Sequence, residues 1–142
     1  MWALGVVLGT ACAPRRDKEC AEVQARVLEE IRVVDGFHDH VHDGEAIARH
    51  AHRLRAVSAE LRTLHIRDAS LRKAVEDYGT SIDHLANAWA QLAEARGPAL
   101  VDAGARPGVP ASLQAPLQEV LAAQATVMNG ARSAISDACG AR

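Results

Sequence analysis

The chain has 142 residues, 49% of them hydrophobic and only 3% aromatic, with a formal net charge of -2. That length suits one domain with a modest core, and a composition rich in alanine, leucine, arginine and glutamate favours helix over strand. The near-neutral balance, without a basic run interleaved with aromatics, argues against nucleic-acid binding.

No stretch approaches the ~20 apolar residues that a membrane-spanning helix needs. The opening "MWALGVVLGTAC" is uncharged and apolar from Trp2 to Ala11, the length of a signal-peptide core. Its end, "LGTAC", resembles the lipobox of bacterial lipoproteins, in which small residues precede a cysteine that is lipidated and becomes the first residue after cleavage. The resemblance implies a signal peptide over residues 1–12, with Gly9, Thr10 and Ala11 before the cut and the lipid on Cys12. Two departures stand out: Leu8 lies one place earlier than the usual leucine, and no lysine or arginine opens the segment. An ordinary secretory signal cut near Ala11, or the apolar start of a buried helix, are the competing readings. Ala13 rather than aspartate after the cysteine implies, on the same resemblance, the periplasmic face of the outer membrane. Two or more acyl chains hold a protein there stably, at roughly 0.8 kcal/mol per buried methylene.

Residues 13–142 then read as one domain of four amphipathic helices, and no segment alternates as a strand would. The first covers about residues 15–34, with Cys20, Val23, Val27, Ile31 and Val34 on one stripe. The second covers about 43–65 with Ile47, Leu54, Val57, Leu61 and Leu64, and the third about 68–96 with Leu71, Val75, Tyr78, Ile82, Leu85, Trp89 and Leu92. The fourth covers about 112–138, using Leu117, Leu121, Gln124, Met128, Ala131 and Ile135. Asp43 and Asp68 are the expected N-caps, and Gly97-Pro98 ends the third helix. Gly79 and Gly130 fall inside helices, marking either a close approach or a local weakness. Connections at residues 35–42, near 66–67 and at 97–109 make neighbours antiparallel, so the expected fold is all-α: an up-down-up-down antiparallel four-helix bundle.

That topology brings Cys20 and Cys139 to the same end. In an oxidising compartment they form an even pair. A disulfide there closes nearly the whole chain, which a chain-entropy argument values at ~4–5 kcal/mol. The alternative is two free or intermolecular thiols. The stretch "LRTLHIRDASLRKAVEDYGTSIDHLANAWAQLAEA" is also similar to the central hairpin of small helical lipoproteins of GC-rich bacteria, which likewise end in a helix carrying a cysteine. This likeness implies nothing about activity.

The sharpest chemical signal is "GFHDHVHDGEAIARHAH", with five histidines between Gly36 and His52. Imidazole ligates zinc, copper and nickel, and a histidine-rich tract hints at such an ion. His38, His40 and His42 share one face if the segment is extended. His50 takes a core position between Ile47 and Leu54. The plain alternative is a soluble connection beside one hydrogen-bonded core histidine. His84 falls outside the core stripe and is expected to point away from His50, while His52 and His65 read as boundary positions.

Other chemistry finds no support. There is no Cys-x-x-Cys-His for covalent haem, and no glycine-rich phosphate loop after a strand. Glu29-Glu30 and Glu76-Asp77 are neighbours that diverge by about 100° on a helix, so they read as solvated faces. The basic residues Arg49, Arg53, Arg55, Arg62, Arg67, Arg72 and Lys73 are expected to balance the acidic first helix. The expectation is a non-enzymatic, exported bundle without a cofactor, tethered to the membrane through Cys12, with a structural role or a contact role toward an unknown envelope protein. The alternative is a periplasmic zinc-, copper- or nickel-binding bundle using His38, His40, His42 and His50.

Overall fold

The structure, a computed structural model, describes residues 13–97 and 110–140. Cys12 and most of the expected 97–109 connection lie outside them. The described residues form α1 (Ala13–His38), α2 (Gly44–Thr63), α3 (Ala69–Arg96), α4 (Ala111–Thr126), a π-helical turn (Val127–Ala131) and α5 (Arg132–Gly140). The last three make one continuous rod, so four rods build the expected bundle. α1 packs on α2, α2 on α3, α3 on α4 and α5, and α5 returns to α1. No described helix is long and apolar enough to cross a membrane.

The helix ends follow their local chemistry. The Asp43 carboxylate accepts from the backbone N–H groups of Glu45 and Ala46, and Asp68 accepts from Leu71 N–H. Each satisfies donors that have no partner within the helix. Gly97 ends α3 at φ 65°, a left-handed conformation that glycine adopts freely. The α2 N-terminus lies against this turn: a Cβ on Gly44 would stand 2.4 Å from the Gly97 carbonyl oxygen. Gly79 marks a close approach of α2 and α3, where Ser58 Oγ donates to its carbonyl oxygen at 3.1 Å.

Two helices depart from their expected faces. α1 runs beyond residue 34 to His38, because Phe37 is buried and stacks on Trp89 with ring centroids 4.3 Å apart. That burial outweighs the roughly 1 kcal/mol cost of Gly36 in a helix. Its core face comprises Cys20, Val23, Glu30, Val33, Val34 and Phe37, whereas Val27 and Ile31 are half-buried. In the fourth rod the expected Leu121 and Met128 are exposed, and Val120, Ala123 and Val127 are buried instead. The π turn is the reason. Arg132 N–H donates to Val127 O, five residues back, so one residue more than an α-helix holds is fitted into the turn. Each helical residue turns the chain by about 100°, so a stripe extrapolated backward from Ile135 at the α period lands one residue off.

The two cysteines meet as expected. Cys20 and Cys139 form a disulfide, with Cα atoms 5.8 Å apart, and join the start of α1 to the end of α5.

Candidate functional site

Polar groups gather at three places in this frame: the disulfide end, the interior between α1, α3 and α5, and the opposite end around the histidine turn. At the disulfide end Glu19, itself buried, accepts from the backbone N–H groups of Arg67 at 3.2 Å and Asp68 at 3.3 Å. A side chain of α1 thus caps the entry to α3 from a distant part of the chain. Arg16 donates to the Ala138 carbonyl oxygen, satisfying an acceptor at the end of α5.

In the interior Glu30 is wholly buried, which corrects its reading as part of a solvated acidic face. One carboxylate oxygen accepts from Tyr78 Oη at 2.9 Å and from Arg132 Nε at 2.8 Å, and the other accepts from Arg132 Nη2 at 2.9 Å. The pair is bidentate, the geometry in which guanidinium and carboxylate bind most strongly. Burial pushes the Tyr78 phenol well above its usual range, aided by the Glu30 charge and hydrogen bond. Burial works to lower Arg132, but the hydrogen bonds and charge of Glu30 prevail and raise it. Both carboxylate oxygens are engaged and the phenol holds its proton tightly, so the trio ties three helices together and has no spare group for proton transfer. The π turn makes it possible, since its extra residue rotates Arg132 toward α1. The one trace in the sequence is a glutamate between Val23 and Val34 on a single helical face.

At the opposite end the histidines separate into distinct environments. His38 lies exposed in the last turn of α1, with its ring edge-on to Phe37 at 5.9 Å. His42 is exposed, and its Nδ1 lies 3.3 Å from Arg96 Nη2. Arg96 Nε also donates to the Val41 carbonyl oxygen at 2.6 Å, fixing the turn on the end of α3. His40 turns the other way: its Nδ1 is 2.9 Å from the Gly36 carbonyl oxygen and 3.5 Å from His50 Nε2. The segment is a helix end and a turn rather than an extended strand, so His38, His40 and His42 do not share one face. Among the described residues no group of three or more His, Cys, Asp or Glu side chains converges as metal ligands would.

His50 is buried on the core face of α2, as its spacing predicts, and meets the edge of Trp89 at a centroid distance of 6.2 Å. Burial lowers its pKa, and His40, Arg53 and Arg49 act in the same direction. Its Nδ1 and the indole Nε1 of Trp89 are both buried without a hydrogen-bond partner. His84 is exposed and bound to Glu119 at 3.0 Å, away from His50. Among the described residues, three of the seven basic side chains form ion pairs, and none of these pairs is with an acid of α1. Arg49 lies near Asp43 and Glu45, Arg62 reaches Asp83, and Lys73 meets Asp77.

Set against known proteins, the chain matches no family model, no curated protein and no solved structure.

Proposed function

We propose that the chain is an exported, lipid-anchored helical bundle that acts in the cell envelope by contact with other proteins and not by catalysis. The observation that carries this reading is the Cys20–Cys139 disulfide, which joins the two ends of the folded domain. Structural disulfides form and persist in oxidising compartments and are rare in the reducing cytosol of mesophiles. The lipobox-like "LGTAC" supplies the route and the anchor: export, cleavage before Cys12, and acylation of that cysteine. The disulfide then closes the domain eight positions beyond the anchor, so the tether is short and the bundle is held close to the lipid surface.

The test is expression in a bacterium that processes lipoproteins, with the membrane fraction analysed by intact mass. The expected species begins at Cys12 and carries two or three acyl chains. Cys12→Ser removes both the added mass and the membrane association. An unprocessed chain that stays in the cytosol with or without Cys12 overturns the reading.

A further inference from the structure

We infer that His40 and His50 together form a binding site for one late transition-metal dication, of the Cu²⁺, Zn²⁺ or Ni²⁺ class. This goes beyond the role as an envelope contact protein and does not rest on it. The site differs from an all-loop cluster of His38, His40 and His42, because half of it is built into the core.

The geometry is direct. His40 Nδ1 and His50 Nε2 face each other at 3.5 Å. Imidazole nitrogens bind such ions at about 2.0–2.1 Å, so one ion fits between them at an angle between tetrahedral and trigonal. The Gly36 carbonyl oxygen, 2.9 Å from the same His40 nitrogen, accepts its proton in the metal-free protein, so an ion binds there in exchange for that proton. The remaining positions go to water, which makes the site open and exchangeable, unlike a closed structural centre with four protein ligands.

The surroundings prepare the two rings differently. His50 is held by α2 against Trp89, and Gly36 is what lets α1 pass beside it: a Cβ there would come within 3.1 Å of His50 Cε1. His40 rides on the turn and is exposed, so its ring has room to adjust. Each ring nitrogen that binds a metal must offer a lone pair, so binding releases the proton that His40 Nδ1 shares with the Gly36 carbonyl. Coordination through Nε2 leaves the His50 proton on Nδ1. Arg49 and Arg53 also lie close enough to bear on His50, and their charge opposes a dication. Asp43, the nearest capping carboxylate, is engaged with the α2 N-terminus and near Arg49. The balance points to modest affinity, with exchange rather than permanent retention.

The experiment is calorimetric titration of the disulfide-intact, metal-free protein with CuCl₂, ZnCl₂ and NiCl₂, each alone. One ion per chain is expected for at least one metal. Both His40→Ala and His50→Phe should weaken it about tenfold or more, since even loss of an outer-shell partner weakens binding 10–100-fold. His38→Ala and His42→Ala should leave it unchanged. His40 is exposed, so its alanine variant keeps the fold and remains decisive if His50→Phe does not. Copper paramagnetic resonance adds a second readout, with two imidazole nitrogens expected and one or none in each variant. No binding, or binding that survives both substitutions as an adventitious ion only, overturns the site. Equal loss in the His38 and His42 variants overturns it as well, assigning the ion to the loop tract.

Discussion

Where α1 begins and α5 finishes, most polar groups are matched: Glu19 caps the entry to α3, Arg16 satisfies a terminal carbonyl through Nη2, and the disulfide closes the chain, although Arg16 Nε is buried without a hydrogen-bond partner and lies 3.8 Å from the Asp68 carboxylate. Further in, the Glu30 carboxylate has both oxygens engaged by Tyr78 and Arg132. At the far end, His50 Nδ1 and Trp89 Nε1 are buried without partners, and a second histidine stands at the edge of hydrogen-bond reach. Buried polar groups that are fully paired hold a bundle in one arrangement, whereas unpaired ones cost stability. The disulfide end carries one such atom on a guanidinium held near a carboxylate and is closed covalently. The other tolerates a local cost, and such costs are expected where a site binds something.

The contrast is open to mutation, and the largest effect belongs to Glu30. Glu30→Ala strands Arg132 beside an emptied site. Breaking a buried ion pair costs about 3–5 kcal/mol, and because the Arg132 side chain keeps 19% exposure the expected loss lies near the lower figure. Urea unfolding measures it, and a loss below about 1 kcal/mol would remove the network from the account. Replacing the trio together (Glu30→Leu, Tyr78→Phe and Arg132→Met) should restore most of that stability, since apolar groups of similar volume often match a buried pair.

Alkaline titration reads the same network without mutation. Tyr78 is the only tyrosine in the chain, and its pKa is raised from 10.0 in the folded state. A group that holds its proton more tightly when folded contributes stability that is full below the unfolded value and fades as pH rises above it. Tyrosinate absorbance should thus stay absent above pH 10.0 for as long as the helix signal lasts, then appear together with unfolding. Tyrosinate formed near pH 10.0 in an intact bundle contradicts the buried hydrogen bond.

At the unpaired end the sign reverses. In metal-free protein His50→Leu removes a partnerless buried nitrogen along with a weak contact, so stability should hold or rise by up to about 1 kcal/mol. A loss comparable to that of Glu30→Ala would show that the paired interior and the histidine end do not differ as described. The smallest effect concerns Gly130 in the π turn, where φ is not positive and an added Cβ meets nothing within 4 Å. Gly130→Ala should stabilise by about 0.5 kcal/mol by restricting the unfolded chain, seen as a small rise in Tm.

Much of the architecture is legible from local chemistry. α3 keeps its 3–4 spacing from Leu71 to Leu92 and every one of those residues is buried. Asp43 and Asp68 cap as their type and position predict, and the topology alone brings Cys20 to Cys139. The fourth rod is misread because period arguments assume a constant turn per residue, and the π turn breaks that assumption once, at Val127–Ala131. Glu30 is misread because charge predicts exposure unless a partner is known, and its partner stands 102 residues away. The histidines are half legible. His50 shows its burial by spacing, but the pairing with His40 depends on how α1 ends, and that is set by Phe37 stacking on Trp89 from another helix.

The central claim is a closed bundle working in an oxidising compartment, and the thiols of Cys20 and Cys139 test it most directly. Cells producing the full chain would be quenched with an alkylating reagent before lysis, and the protein from the envelope digested and analysed by mass spectrometry without reduction. The account predicts a Cys20–Cys139 linked peptide and no alkylation at either position. Alkylation of both cysteines in envelope-derived protein would contradict it.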